Sequence, residues 1–303
     1  MDRYGAVTSR ARSESADTGS GRTGAVVYRV LVLDLDGTTL NAEGGLEERD
    51  AAAATALRRA GVQITIATGR LFTGTRWVAQ ALGVQGSVAV MNGSELIDVD
   101  SGVVRHGRYV EPAHRTTARE ILGDHGLGTA FLFGSRRIHL ALRDGRFGPY
   151  LKTWTRSLTH HEDVFSAPAW GIADDIVAIG VVGQGEAISS ARDELHRQLP
   201  EEMGSVVFHT HEGDSFLMLR HAGEDKGTAL DRLAAERGCT AEACVAVGDW
   251  LNDLPMLRRA GLSLAMAQSD PAVGDAADEI LDTPRHGAGA VAEVARRVWG
   301  LSV

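Results

Sequence analysis

Apolar residues along the chain gather into runs, and several of these runs stop on a polar or charged residue. The first strong run, Val26 to Leu33, is nearly continuous in Val and Leu and ends at Asp34. A run without alternation suits a strand covered on both faces, as in a parallel sheet. Leu46 to Ala60 then carries four consecutive alanines, with Arg58 and Arg59 near its end and Gly61 beyond. That pattern predicts a helix with cations in its last turn and a glycine stop. Val62 to Ala67 predicts a second buried strand, ending at Thr68-Gly69-Arg70. A helix near Gly74 to Leu82 leads to a third strand, Val88 to Met91, ending at Asn92-Gly93. Three strand–loop–helix units in succession predict a right-handed, doubly wound α/β layer.

The middle of the chain follows another rhythm. A polar hairpin, Glu95 to Tyr109, precedes a helix near Pro112 to His125 and short strands near Thr129–Phe133 and Arg137–Leu142. After a less regular stretch come a strand at Ile176–Val182, a helix near Glu186–Gln198, and strands at Ser205–His209 and Ser215–Leu219. An α-β-β pattern met twice predicts a separate α+β module with an antiparallel sheet. Doubly wound signals resume at Asp225: a helix from about Lys226 to Arg237, a strand Cys244–Val247 ending at Gly248-Asp249, and a helix Pro255–Ala260. Strands near Leu262–Met266 and Glu279–Leu281 and a helix Ala288–Val298 finish the chain. The expected organisation is a tail over 1–25, an α/β core over 26–110 and 221–303, and an inserted α+β cap over 111–220.

Composition changes this picture little. The chain has 303 residues, 44% hydrophobic and 23% charged, with formal net charge −9 and pI about 5.7. That balance gives no electrostatic case for nucleic acid, and no basic patch supplies one beyond arginine pairs at helix ends. The first 25 or so residues are rich in Ser, Gly, Arg and acids. They lack the apolar stretch of roughly 7–15 residues that a secretory signal needs, and read as a disordered tail. No run approaches the roughly 18–20 apolar residues of a membrane span. The expectation is a cytoplasmic protein with no nucleic-acid, membrane or obligate protein partner. Cys239 and Cys244 read as free thiols.

Chemistry enters at the ends of the predicted strands, where doubly wound sheets bind ligands. Asp34 and Asp36 stand two apart at one such end. Paired carboxylates there repel unless a cation or shared proton relieves them, and Mg2+ takes hard oxygen ligands. An aspartate can attack phosphorus while a metal offsets phosphate charge. Gly37 lets the chain turn so that backbone N–H groups face a phosphate. A D-x-D alone also fits a solvated turn, or a glycosyltransferase holding a nucleotide sugar through a metal. Thr68 and Gly69 offer donors to a phosphate, or simple capping. Lys226 at a helix start could neutralise a phosphate. Asp249, in Gly248-Asp249-Trp250-Leu251-Asn252-Asp253, falls at another strand end, suited to a metal, with Asn252 or Asp253 capping the next helix.

Taken in order, these motifs resemble the haloacid dehalogenase (HAD) superfamily, in particular its Cof-type phosphatases (subfamily IIB) with the larger C2B-type cap. Asp34-Leu35-Asp36-Gly37-Thr38 matches the first motif, Thr68-Gly69-Arg70 the second, and Asn92-Gly93 the third-strand signature. Lys226-Gly227 matches the lysine motif, and Gly248-Asp249 through Asn252-Asp253 the fourth. The resemblance implies a HAD-like Rossmannoid core and a Mg2+-dependent phosphatase working through an aspartyl-phosphate. It implies Asp34 as nucleophile and metal ligand, and Asp36 as acid/base that binds Mg2+ through its backbone carbonyl. Asp249 would be the third ligand of the metal. Thr68, Gly69, Asn92 and Lys226 would hold the phosphoryl group, and Asn252 and Asp253 would order the lysine and the metal's water shell, Asn252 beside the phosphate. Arg70 would face the cap or the substrate. The second carboxylate, Asp36, argues against the dehalogenase branch.

One departure is Leu264-Ala265-Met266-Ala267-Gln268-Ser269, where the family often shows a hydrophobic-Ala-Met-Gly-Asn-Ala string. Another is Trp250, bulky where smaller residues are common, which reads as packing between loop and helix. His160 and His161 read as surface or core residues, since neighbours do not share a face and the site prefers oxygen ligands. Phe131, Phe133, Trp154, Trp170 and Phe216 read as the cap's own core. The expected substrate is a small phosphorylated metabolite such as a sugar phosphate. A phosphomutase on the same scaffold and the D-x-D glycosyltransferase are the alternatives.

Overall fold

In the computed structural model, which describes residues 27–172, 175–209 and 214–302, the first element is β1 (Val30–Leu33), buried throughout. The helix Glu48–Arg59 follows, with Glu48 and Asp50 in its first turn and Arg58 and Arg59 in its last, complementing the helix dipole. Next come β2 (Gln63–Ile66), the helix Phe72–Leu82, β3 (Ser87–Val90), β4 (Glu95–Asp98) and β5 (Val104–Gly107). After the helix Pro112–Asp124 come β6 (Thr129–Gly134), β7 (Ile138–Ala141), the helix Gly148–Trp154 and β8 (Leu158–His161). Then follow β9 (Ile176–Gly183), the helix Gly185–Gln198, β10 (Met203–His209) and β11 (Ser215–His221). The helix Lys226–Glu236, β12 (Cys244–Gly248), β13 (Leu262–Ala267), β14 (Glu279–Pro284) and the helix Ala290–Trp299 complete the order.

A parallel five-stranded sheet runs β14-β13-β12-β1-β2, with Val30 in register with both Cys244 and Gln63. Side chains of β1 alternate between two apolar layers: Leu31 and Leu33 join Leu57, Ile64 and Val294, while Val30 and Val32 join Ala229, Leu230 and Ala246. That double cover is why the strand reads as an unbroken apolar run. β3 joins β2 through one parallel bridge, Ala67 to Ala89, and the Thr68 N–H donates to the Ala89 carbonyl at 3.0 Å. The third strand does not continue the ladder as expected. Met91, Asn92 and Gly93 take left-handed φ values of 48°, 55° and 96°, reversing the chain so that β4 pairs antiparallel with β3.

The inserted segment forms a six-stranded, mainly antiparallel sheet, β10-β11-β9-β6-β7-β8. One face carries Leu132, Ile179, Leu217 and Leu219 against Ile121, Ile188 and Ala191 of two helices. The other carries Phe131, Phe133, Ile138 and Leu140 against Leu71, Met91 and Trp154. The sheet therefore rests on the loops that leave β2 and β3, and the Leu71 N–H donates to the Trp154 carbonyl at 2.9 Å. Phe131, Phe133, Trp154 and Phe216 make ring contacts with one another in this layer, as expected of a core.

β8 lies in the stretch that looked irregular, because Leu-Thr-His-His at a half-exposed edge carries no alternation. The helix expected at Pro255–Ala260 is shorter, Leu254–Leu257, and is entered through a 3-10 turn, Leu251–Asp253. A short helix at Pro271–Ala276 carries too few apolar residues to have been read. The tail expected over 1–25 lies outside the described residues. Cys239 and Cys244 are free, and burial pushes the Cys244 thiol up to about 12, which leaves it inert at neutral pH. Among the described residues no helix is long and apolar enough to cross a membrane.

Candidate active site

Asp34 follows the last residue of β1, its N–H held by the Val247 carbonyl at 3.1 Å and its carbonyl accepting from Thr39 Oγ1 at 2.6 Å. Its carboxylate meets Lys226, whose Nζ donates to Asp34 Oδ1 at 2.5 Å and to Asp253 Oδ1 at 2.6 Å. Lys226 opens its helix, which is fixed there by a capping box between Asp225 and Thr228. Gly227 beside it must be small, since a Cβ would lie 2.6 Å from the Pro255 carbonyl. Asp34, Lys226 and Asp253 are all buried.

The loop after β12 is braced from inside. Asp253 Oδ2 accepts the N–H groups of Asp249 and Trp250 at 2.9 and 3.0 Å. Asp249, also buried, accepts from Thr38 Oγ1 at 2.9 Å on one oxygen and from Arg285 Nε at 2.5 Å on the other. Gly37, at φ +87°, packs so tightly on Asp249 that a Cβ there would collide with the carboxylate. Arg285 in turn lies over the Trp250 ring, 4.8 Å from its centroid.

Two further groups border this cluster. Asp36 is gripped by Arg70 in a fork, Nε to Oδ2 at 2.8 Å and Nη2 to Oδ1 at 2.5 Å. Arg70 is 5% exposed and Asp36 47%, so the arginine anticipated at the cap or substrate holds Asp36 instead. Thr68 Oγ1 accepts the Arg70 N–H at 3.2 Å, and the Thr68 carbonyl accepts the Asn92 N–H at 2.9 Å. Asn252 Nδ2 donates to Asn92 Oδ1 at 2.9 Å, and Gly69 faces the same Asn92 amide. Asn252 thus adjoins the Thr68–Asn92 group, while Asp253 contacts the lysine.

Burial raises the Asp34 carboxyl well above its ordinary range; the Lys226 charge opposes this, and Asp253 and Asp249 add to it. Asp249 is raised by burial and by Asp253, against the pull of Arg285. Burial would lower the Lys226 ammonium, but Asp253 and Asp34 outweigh it and hold the lysine charged, above its ordinary value. Ligand oxygens of Asp34, Asp249 and Asp253 lie within 4.8 Å of one another. Three buried carboxylates facing two cations leave negative charge in excess, and hard oxygens at this spacing suit a hard divalent cation. The residues present fit such a metal.

Sequence reasoning passed over Thr38 and Arg285. Thr38 sits inside the first motif, and its hydroxyl position marked it. Arg285 lies just beyond β14, at the same sheet edge as Asp34 and Asp249, so the strand-end rule applied one strand further would have found it. His161 stacks on His139 in the six-stranded sheet, with His139 Nδ1 and His161 Nε2 3.0 Å apart, and is no part of the acidic cluster.

A family profile described as haloacid dehalogenase-like hydrolase matches residues 31–294. The chain belongs to the haloacid dehalogenase-like hydrolases. As a member of these hydrolases it is an enzyme, and its curated relatives are named as phosphatases. One is 5-amino-6-(5-phospho-D-ribitylamino)uracil phosphatase YcsE of Bacillus subtilis, 26% identical over 258 residues that cover 85% of this chain and 91% of that one. Another is the HMP-PP phosphatase of Yersinia pestis, 27% identical over 256 residues, covering 81% and 86%. A haloacid dehalogenase-like hydrolase from Bacteroides thetaiotaomicron superposes with TM-score 0.75 at 25% identity, over 89% of this chain and 99% of that one.

Proposed function

We propose that this hydrolase is a Mg2+-dependent phosphatase that cleaves small phosphorylated metabolites, sugar phosphates among them, with Asp34 as its nucleophile. The carrying observation is the buried Asp34–Lys226 contact of 2.5 Å beside Asp249 and Asp253. Asp34, Asp249 and the Asp36 backbone carbonyl would hold Mg2+, which when bound offsets the charge of phosphate and nucleophile. Lys226, with the donors of Thr68, Gly69 and Asn92 and with Asn252 behind Asn92, holds the phosphoryl oxygens. Asp253 keeps Lys226 in place.

An Asp34 oxygen attacks phosphorus as the bond to the leaving alcohol breaks, and Asp36 gives that alcohol its proton. Asp36 then takes a proton from water, whose oxygen attacks the aspartyl-phosphate, freeing inorganic phosphate and restoring Asp34. Because Arg70 holds both Asp36 oxygens at the exposed rim of the site, it must release one of them for Asp36 to carry the proton in either transfer. Residues 26–110 and 221–303 act as the hydrolase core, and 111–220 as the cap that selects the leaving group. The YcsE and HMP-PP phosphatase names support a small phosphorylated substrate. The net charge of −9 gives no electrostatic case for a nucleic-acid partner, and the reading is of a cytoplasmic enzyme acting on a small molecule without membrane or obligate protein partners.

The test is a Mg2+-dependent screen over phosphorylated metabolites with wild type and Asp34→Asn. Asp34→Asn is expected to lose about 10³-fold or more in kcat; equal hydrolysis by both would sink the assignment. Running the screen in ¹⁸O-water separates hydrolysis, which labels the phosphate, from transfer to a second sugar by a phosphomutase.

A further inference from the structure

Arg285 has no part in the mechanism above, yet its place is built. Its own N–H donates to the Ala267 carbonyl at 2.9 Å, and the N–H of His286 donates to the Gly37 carbonyl at 3.0 Å. His286 takes φ +56° to make that turn. The loop is therefore pinned on one side to the end of β13 and on the other to the loop that carries Asp36. From this base the guanidinium spans two groups, Asp249 Oδ2 at 2.5 Å and the face of Trp250 at 4.8 Å.

Asp249 offers two oxygens, and Thr38 Oγ1 already donates to the other one. A metal drawing on Asp249 would meet a fixed positive charge on the very carboxylate it needs. Two cations on one buried carboxylate repel each other strongly where water is scarce. We infer that Arg285 is an internal counter-ion that competes with the metal for Asp249, and so sets the enzyme's metal affinity. This rests on the proposed metal role of Asp249. The guanidinium keeps the buried carboxylate paired whenever no cation is bound. When a cation binds, it gives up Asp249 Oδ2 and stays on the indole face, where a cation–π contact retains it. The exposed Trp250 then serves as the resting surface of the displaced arginine. Because the competent state is only a fraction of the whole, apparent metal affinity falls by that fraction.

The rival role is that Arg285 orients Asp249 for the metal, and the two roles differ in sign. MgCl2 is titrated calorimetrically into the full chain, without substrate, for wild type, Arg285→Gln, Arg285→Ala and Arg285→Lys. The neutral variants are expected to bind Mg2+ roughly tenfold more tightly, while Arg285→Lys stays near wild type. The rise in Tm between EDTA and excess MgCl2 is expected to be larger in the neutral variants. Two neutral substitutions of a partly exposed side chain guard against one failing to fold. Equal or weaker Mg2+ binding by both neutral variants, with wild type binding normally, overturns the competition and leaves the metal reading standing. No Mg2+ binding by any of the four overturns both.

Discussion

The lysine buried between two carboxylates shows how tightly the site is balanced. Lys226 stays charged through the neutral range, because its stabilising contribution is complete below the ordinary lysine value and is lost only as pH rises past its raised one. A pH response between pH 5 and 8 that appears only when the lysine is removed therefore reports on the Asp34 carboxyl, which burial raises and Lys226 opposes. Lys226→Met, nearly isosteric, leaves Asp34 and Asp253 facing each other without a counter-ion. It is expected to lose about 3 kcal/mol of stability at pH 8 in EDTA. The loss should shrink towards pH 5 as one carboxyl takes a proton. Urea denaturation at the two pH values checks this, and a loss that grows on acidification would contradict it.

The meander of β3, β4 and β5 shows that an element can carry more than its strand pattern. Glu95, the first residue of β4, is fully buried; its Oε1 accepts from Tyr109 Oη at 3.0 Å and from Ser135 Oγ of the β6–β7 turn. Its other oxygen, Oε2, has no hydrogen-bond partner among the described residues. Burial, aided by Asp175, raises the Glu95 carboxyl and outweighs the two hydroxyl donors. A raised folded value means that the penalty for its charge is absent below the ordinary carboxyl range, grows as pH rises past that range, and is complete once pH passes the raised value. Glu95→Gln should thus gain on wild type in Tm as pH is raised from 4 to 8; parallel melting curves would count against this. Sequence reasoning saw only a polar hairpin here. A glutamate in a short strand carries no sign of burial, and its partners Tyr109 and Ser135 are 14 and 40 residues away.

Across the whole molecule, the two passages of chain between the parallel sheet and the six-stranded sheet are tied through Glu224. Glu224, 2% exposed, takes a fork from Arg232 at 2.5 and 3.1 Å and sits 3.1 Å from His106 Nε2 and 3.7 Å from Arg108 Nε. His106 and Arg108 belong to the outgoing passage and Glu224 to the returning one. Glu224→Ala is expected to raise KM several-fold while kcat changes less, because the tie would orient the proposed cap without touching the chemistry. Steady-state kinetics on the best substrate of the screen decides it, and a fall in Tm with both constants unchanged would deny the tie any part in function.

At this scale most of the architecture was legible, since buried strands announce themselves as apolar runs that stop on Asp34, Thr68, Asn92 and Asp249. What stayed hidden had weaker signals. β14 buries only Leu281, so the loop beyond it, with Arg285, drew no attention. The turn at Leu251–Asp253 sets which cap faces Lys226, and its phase cannot be read from Asn252-Asp253 alone.

The place of β1 in the sheet has a consequence for the order in which the protein is made. Its neighbour β12 pairs Cys244 with Val30, so more than 200 residues must leave the ribosome before that edge is filled. At ~5–20 residues per second this delay is on the order of 10–40 s. The six-stranded sheet, built wholly from chain between Thr129 and His221, emerges complete within that interval. Asp34 is among the earliest residues translated in this structure, and it waits for Asp249, near the end, before it has a site to work in.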